Sequence, residues 1–245
     1  VWWYGDDQFN DYDTVVHEEC HGYTHNVWGA DRIYLGKKKS VQVAHTKVFR
    51  SKKIAKSVPK KLRTGRYYTY VAKPIANLSS DVYGAYGLLD EFAAYNWGFN
   101  NTIKLYSYAT SQECTYELWR DYVSASNVAL AYVEFRYFIE HYLYYAKVHQ
   151  PKVYKQIIAN KNFVKAMKAI DKKFAANIKT FDKRLPKIAA LLRKQGHTVW
   201  TDGQCFMVDY GGPGLYVKEY NNFVSVLNKS KYLKIQKALG LTTVK

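Results

Sequence analysis

Apolar residues downstream of Asn101 recur at intervals of three and four, with lysine on the opposite side, over Ser111–Ala125, Asn127–Val148, Pro151–Lys168, Ile170–Gln195 and Tyr216–Leu239. That period gathers the apolar side chains into one stripe, so each stretch is predicted to be a helix packed on a core. The run from Val128 to Tyr145 is apolar around nearly its whole circumference and is expected to be the central core helix. Only Glu134, Arg136, Glu140 and His141 interrupt it. Buried or rim ion pairing is the expected use of these four, with a supporting or substrate-facing role for one of them as the alternative.

The first hundred residues mix periods. Asp13 to Asn26 is predicted to be a helix, with Asp11, Asp13 and Thr14 as candidates for its N-cap. Ser40 to Phe49 alternates like a strand after the basic turn 36–39, and the tyrosine-rich stretch Arg66 to Ala72 is a second strand candidate. The basic segment between them, broken by Pro59, is expected to be a solvated loop. Ser79, Ser80 and Asp81 form a capping cluster for a helix from Ser80 to Trp97 that Gly98 closes. The expected fold class is α+β, predominantly helical, with a small antiparallel sheet to which an extended substrate can add as an edge strand.

With 48% hydrophobic residues in a chain of 245, there is material for a sizeable core, yet the apolar runs are too short and too often interrupted to cross a bilayer. Lysine and arginine number 37 against 20 acidic residues; a solvated basic surface is the expected use of the net charge of +17, with an anionic partner such as nucleic acid, a cell-surface polymer or an acidic lipid surface as the alternative. Lysine predominates and supplies charge without bidentate recognition; with no nucleic-acid-binding motif present, nucleic acid is a disfavoured partner. Cys20, Cys114 and Cys205 are too few for a disulfide framework and lack the spacing of a structural zinc site. Reduced, buried thiols are expected, with a Cys114–Cys205 bridge as the alternative. The opening Val1-Trp2-Trp3-Tyr4 reads as a mature or trimmed product, and a secreted or cell-surface location is expected.

One stretch carries chemistry. His17-Glu18-Glu19-Cys20-His21 matches the pattern H-E-x-x-H, for which random placement of seven histidines and eight glutamates predicts only about 0.007 occurrences. On a helix, residues four apart stand on one face, so His17 and His21 can offer two imidazole nitrogens to one ion while Glu18 lies beside it. His25 continues the series, but it rises about 12 Å along the axis from His17, too far for all three to hold one ion. A supporting, surface or substrate-facing role is expected for it. Further along, Gly84, Gly87, Glu91 and Ala94 share one face of the predicted Ser80–Trp97 helix. Glycine inside a helix costs about 1 kcal/mol relative to alanine, and close approach of the helix bearing His17 and His21 would account for two of them. Glu91 would then arrive at the metal. Asp90, about 100° off that stripe, ranks below it.

The motif and a downstream glutamate together resemble the gluzincin branch of zinc metallopeptidases. The resemblance implies Zn²⁺ held by His17, His21 and Glu91, Glu18 as the base that activates a water, and a peptide or protein as substrate. It also implies a zincin-like core over residues 1–110, with 111–245 a helical subdomain packed on it. His21 and Glu91 are 70 residues apart, further than in compact gluzincins. Such a hydrolase also needs a group that stabilises an oxyanion. Tyr95, one turn beyond Glu91, is one candidate; Tyr210, in the glycine-rich loop 209–214, and His197 before it are the others. The competing expectation is a basic binding module for an anionic cell-surface polymer, with a vestigial or structural zinc site.

Overall fold

The structure, a computed structural model, describes residues 8–25, 28–111, 122, 126–201, 206–208 and 217–244. Helix α1 (Gln8–Thr24) starts more than a turn before Asp13, so Asp11 and Asp13 lie inside it and not at its cap. A hairpin follows, in which β1 (Ala30–Gly36) pairs antiparallel with β2 (Lys39–Ala44) and sets Ile33 opposite Val41. Lys37 and Lys38 join them with φ of 51° and 60°, the left-handed pair that a two-residue turn needs to match the twist of its strands. The turn falls where the sequence placed it, but the partner strand comes before it, not after.

Arg66 to Ala72 is helical. Thr64 accepts a hydrogen bond from the Tyr67 amide and starts the short α2 (Gly65–Tyr67), which continues as a π-helical turn over Tyr68–Ala72. Burial explains the misreading: Tyr67 and Val71, four apart, face the core while Tyr68 is exposed, so the tyrosines follow a helical period. The basic segment before it is no solvated loop, because two 3-10 helices, Ser51–Ser57 and Lys60–Leu62, carry Ile54 and Leu62 into the core.

The predicted Ser80–Trp97 helix is two helices, α3 (Ser79–Val82) and α4 (Ala85–Ser111), and Gly98 lies within the second instead of ending it. Gly84 separates them at φ 54°, where a Cβ would stand 2.7 Å from the Phe49 carbonyl. Helix α5 (Ser126–His149) crosses the core, followed by α6 (Pro151–Ala159) and the 34-residue α7 (Lys161–Lys194). The break between these two falls at Asn160, whose side chain caps α7 through the Phe163 amide and donates to the Ala44 carbonyl of β2. An unforeseen hairpin of β3 (Val199–Thr201) and β4 (Phe206–Val208) comes next, then α8 (Val217–Leu227) and α9 (Ser230–Leu239) in place of one long helix. Apart from Ser111 and Tyr122, the predicted Ser111–Ala125 helix lies outside the described residues.

The protein is thus α+β and mainly helical, with a small antiparallel sheet, as expected. The main buried cluster extends from Ile33 to Val244, and α5 contributes Phe135, Tyr137, Phe138 and Tyr142 to it. The polar interruptions of α5 are paired. Arg136 bonds Glu140 at 3.0 Å and Asp171 at 2.6 Å, Glu134 bonds Arg66 at 2.8 Å, and His141 lies between Ser57 and Tyr232, 2.8 Å from each. Among the described residues no helix is long and apolar enough to cross a membrane.

Candidate metal centre

Helices α1 and α4 build the site by lying close together. Gly98 permits this, since a Cβ on it would stand 2.8 Å from the Asp13 carbonyl of α1. One turn back, Ala94 joins Cys20 and Trp97 in a small cluster that Val16 and Tyr34 flank. The small-residue stripe facing α1 is therefore Glu91, Ala94 and Gly98. The predicted stripe had the right face but lay a turn too early: Gly87 is pressed by the Ser79–Ser80 backbone and Gly84 by Phe49 and Tyr142.

On this frame three atoms converge. His17 Nε2 and His21 Nε2 are 3.1 Å apart, and Glu91 Oε2 lies 3.6 and 3.5 Å from them. Distances of 3.5 Å and more are too long for ordinary hydrogen bonds, and Glu91 Oε2 is buried with no hydrogen-bond partner. Its charge is balanced by the two imidazoles at that longer range alone, and a buried carboxylate oxygen without a hydrogen bond is costly. Zinc fits: bonds of about 2.0–2.1 Å in tetrahedral geometry require ligand atoms about 3.3–3.4 Å apart, and the three observed edges straddle that value.

Asp90 stands behind His21. His21 Nδ1 donates to Asp90 Oδ2 at 2.7 Å, which holds a proton on Nδ1 and turns Nε2 toward Glu91, where an ion would have to displace the proton that Nε2 carries without it. His25 Nε2 reaches the same oxygen at 3.1 Å, so His25 supports the site through Asp90 and is not a ligand of the His17–His21–Glu91 set. Beyond it, Asp31 lies 3.7 Å from His25 Nδ1 and 2.9 Å from His45. Burial opposes ionisation of Asp90 and of Glu91, but the histidine contacts prevail and hold both carboxyls below their ordinary values. Burial likewise opposes a charge on His21, yet Asp90 and Glu91 together raise it to about 10. Cys20, next on the helix, is buried and unpaired; burial first, then the Asp90 and Glu91 charges, push its thiol up to about 12, so it stays protonated. Cys114 and Cys205 lie outside the described residues.

A cavity of about 170 Å³ opens beside His17, lined among others by Asp13, Glu18, Tyr70 and Tyr95. Glu18 shares this cavity with His17. Tyr95 packs edge-on against the His17 ring, centroids 4.5 Å apart, and its hydroxyl meets that of Tyr70 at 3.0 Å. The Arg66 guanidinium lies 4.8 Å over the Tyr95 ring. Of the predicted site residues, then, His17, Glu18, His21, Glu91 and Tyr95 come together. His197 follows α7, its amide bonded to the Leu192 carbonyl, and does not line this cavity; Tyr210 lies outside the described residues.

Three participants escaped sequence reasoning. Asp90 enters the sequence reading only as a lesser candidate ligand, and its bond to His21 Nδ1 has no signal there. Tyr70 was hidden by the strand reading, and nothing in its surroundings singles it out. Asp13, by sequence one of three cap candidates, lines the cavity, and its burial raises the carboxyl above the ordinary value despite hydrogen bonds from Thr14. Comparison with protein-family models, curated proteins and solved structures finds no match to this chain.

Proposed function

We propose that the protein is a zinc-dependent peptidase of the gluzincin type, with α1 and α4 as the pair of helices that forms a zincin-like core. The observation that carries this reading is the triangle of His17 Nε2, His21 Nε2 and Glu91 Oε2, with the Glu91 oxygen buried and otherwise unsatisfied, opening beside a cavity that Glu18 lines. When bound there, zinc supplies a Lewis acid and a water of lowered pKa.

The chain's own groups do the rest. Glu18 accepts a proton as water adds to the scissile carbonyl and passes it to the departing amine, so the peptide plus one water becomes an acid and an amine. Asp90 keeps His21 in the tautomer that binds. The paired Tyr70 and Tyr95 hydroxyls on the cavity wall are the donors available to a developing oxyanion, and the neighbouring Arg66 charge favours that polarity. Phe99 and Val128 supply an apolar wall that limits water around the reacting groups.

Glu18→Gln tests the reading. Peptide-library turnover is expected to fall by a factor on the order of 10² to 10⁴ while metal content stays at that of the parent. Turnover that survives the substitution would overturn the role of Glu18.

A further inference from the structure

Charge is concentrated on one helix. The 34 residues of α7 contain eleven lysines and arginines and two aspartates, and one of those, Asp171, is buried against Arg136. Lys161, Lys165, Lys168, Lys172, Lys179 and Lys183 are all exposed, and Lys187 and Lys194 continue the series. At 100° per residue these eight fall within an arc of about 100°, over a length of about 50 Å. The two longer gaps in the series hold only exposed Ala176 and Ala190 on that arc. Four of the pairs are four residues apart, the spacing at which like charges oppose a helix and at which solvated helices alternate sign.

A second observation extends the file. The tip of the first hairpin, Lys37 and Lys38, holds a left-handed backbone conformation that lysine seldom adopts, and β1 and β2 pack beside α7. Lys173 lies over the Trp97 ring with Nζ 4.5 Å from its centre. Burial first, then Lys104 and Lys37, hold Lys173 below its ordinary value, so cations from α4, α7 and the hairpin converge there.

We propose that this face of α7, continued by the hairpin tip, is a docking surface for a flexible linear polyol-phosphate polymer. Lysine serves phosphate as a point charge, without the planar fork that arginine brings to specific recognition. The apolar side of α7 is buried through Phe163, Met167, Ile170 and Phe174, so no apolar flank remains to enter a lipid surface. No exposed aromatic residue lies on α7, which removes the stacking platform that single-stranded nucleic acid uses. Phosphates of a duplex wind away from a single file and return only after a turn of about 34 Å. A flexible phosphate chain can follow the whole file. The surface is independent of the metal centre, so the two readings stand or fall separately.

The experiment is fluorescence anisotropy of a labelled synthetic glycerol-phosphate oligomer over a range of salt concentrations. The parent is compared with Lys165→Gln/Lys168→Gln/Lys172→Gln/Lys179→Gln and with the same four positions changed to arginine, with helical circular dichroism and the thermal melting curve of each chain as the control for folding. Each phosphate contact contributes about 0.7 to the slope of log K against log salt, so the glutamine variant should lose about 3 from that slope, while the arginine variant keeps it. If the glutamine variant fails the folding control, Lys165→Gln/Lys179→Gln should lose about 1.4. An unchanged slope in the glutamine variants overturns the surface, as does failure of the parent to bind at low salt. Tighter binding to duplex DNA or to vesicles containing phosphatidylglycerol at the same salt concentration overturns the occupant.

Discussion

Asp90→Asn offers the sharpest test of how the metal centre is held. The Asp90 carboxylate is fully buried and receives His21 Nδ1 at 2.7 Å, within the range of charge-assisted hydrogen bonds. Asparagine preserves the volume and one acceptor but removes the charge that orients the imidazole and raises its basicity. Loss of such a supporting carboxylate costs about 10- to 100-fold in metal affinity, or about 1.4–2.7 kcal/mol. Competition titration against a chromophoric zinc chelator measures it, with Glu91→Gln beside it as the loss of a direct ligand. Glu91→Gln should weaken binding further than Asp90→Asn, and Asp90→Asn should regain most turnover once saturated with metal. An affinity for Asp90→Asn within about twofold of the parent would refute the orienting role, since it lies well below the expected loss. An unchanged Glu91→Gln would remove the three-ligand site altogether.

Other predictions follow from packing and titration. Gly98→Ala places a Cβ 2.8 Å from the Asp13 carbonyl; overpacking of about 1–3 kcal/mol set against a helix-propensity gain of about 1 kcal/mol leaves a net loss of about 0–2 kcal/mol in chemical denaturation. Because the displaced backbone belongs to α1, zinc affinity should fall as well, and unchanged affinity would show that the close approach is not needed. His141 is pushed down to about 4, by burial and then by Lys231, so the unfolded chain takes up its proton first as the pH falls below about 6.5. Its contribution to stability is therefore present above pH 6.5 and drains away by about 2 kcal/mol on going from pH 7 to pH 5. Glu140, raised to about 7 chiefly by burial, titrates in the opposite sense, so the effect is to be read as the difference between the parent and His141→Gln. A difference that does not change with pH would contradict it.

Where a residue's partner is one or two turns away, the sequence was sufficient. The four-residue spacing of His17 and His21 forces a shared face, and the uninterrupted apolar run of α5 forces a central position. Of the small residues that pointed to Glu91 only Ala94 lies against α1; Gly84 and Gly87 are small for contacts with Phe49, Tyr142 and the Ser79–Ser80 backbone, so the right carboxylate was reached partly through the wrong neighbours. What was hidden depends on contacts far along the chain. The break at Asn160 reflects its bond to the Ala44 carbonyl of β2, 116 residues away, and the break at Gly84 reflects contacts with Phe49 and Tyr142. Tyr70 was misread because alternating tyrosines satisfy a strand pattern and a helical one equally over so short a stretch.

Asp90 and Glu91 are consecutive residues of α4, yet they address the same imidazole from opposite nitrogens, His21 Nδ1 and His21 Nε2. Because the two carboxylates lie on opposite sides of the ring, a small turn of α4 about its own axis that carries one toward the imidazole carries the other away from it. The centre therefore acts as a vernier on the azimuth of a helix that runs from Ala85 to Ser111. Under the proposed metal site, an ion held by His17, His21 and Glu91 would lock that azimuth.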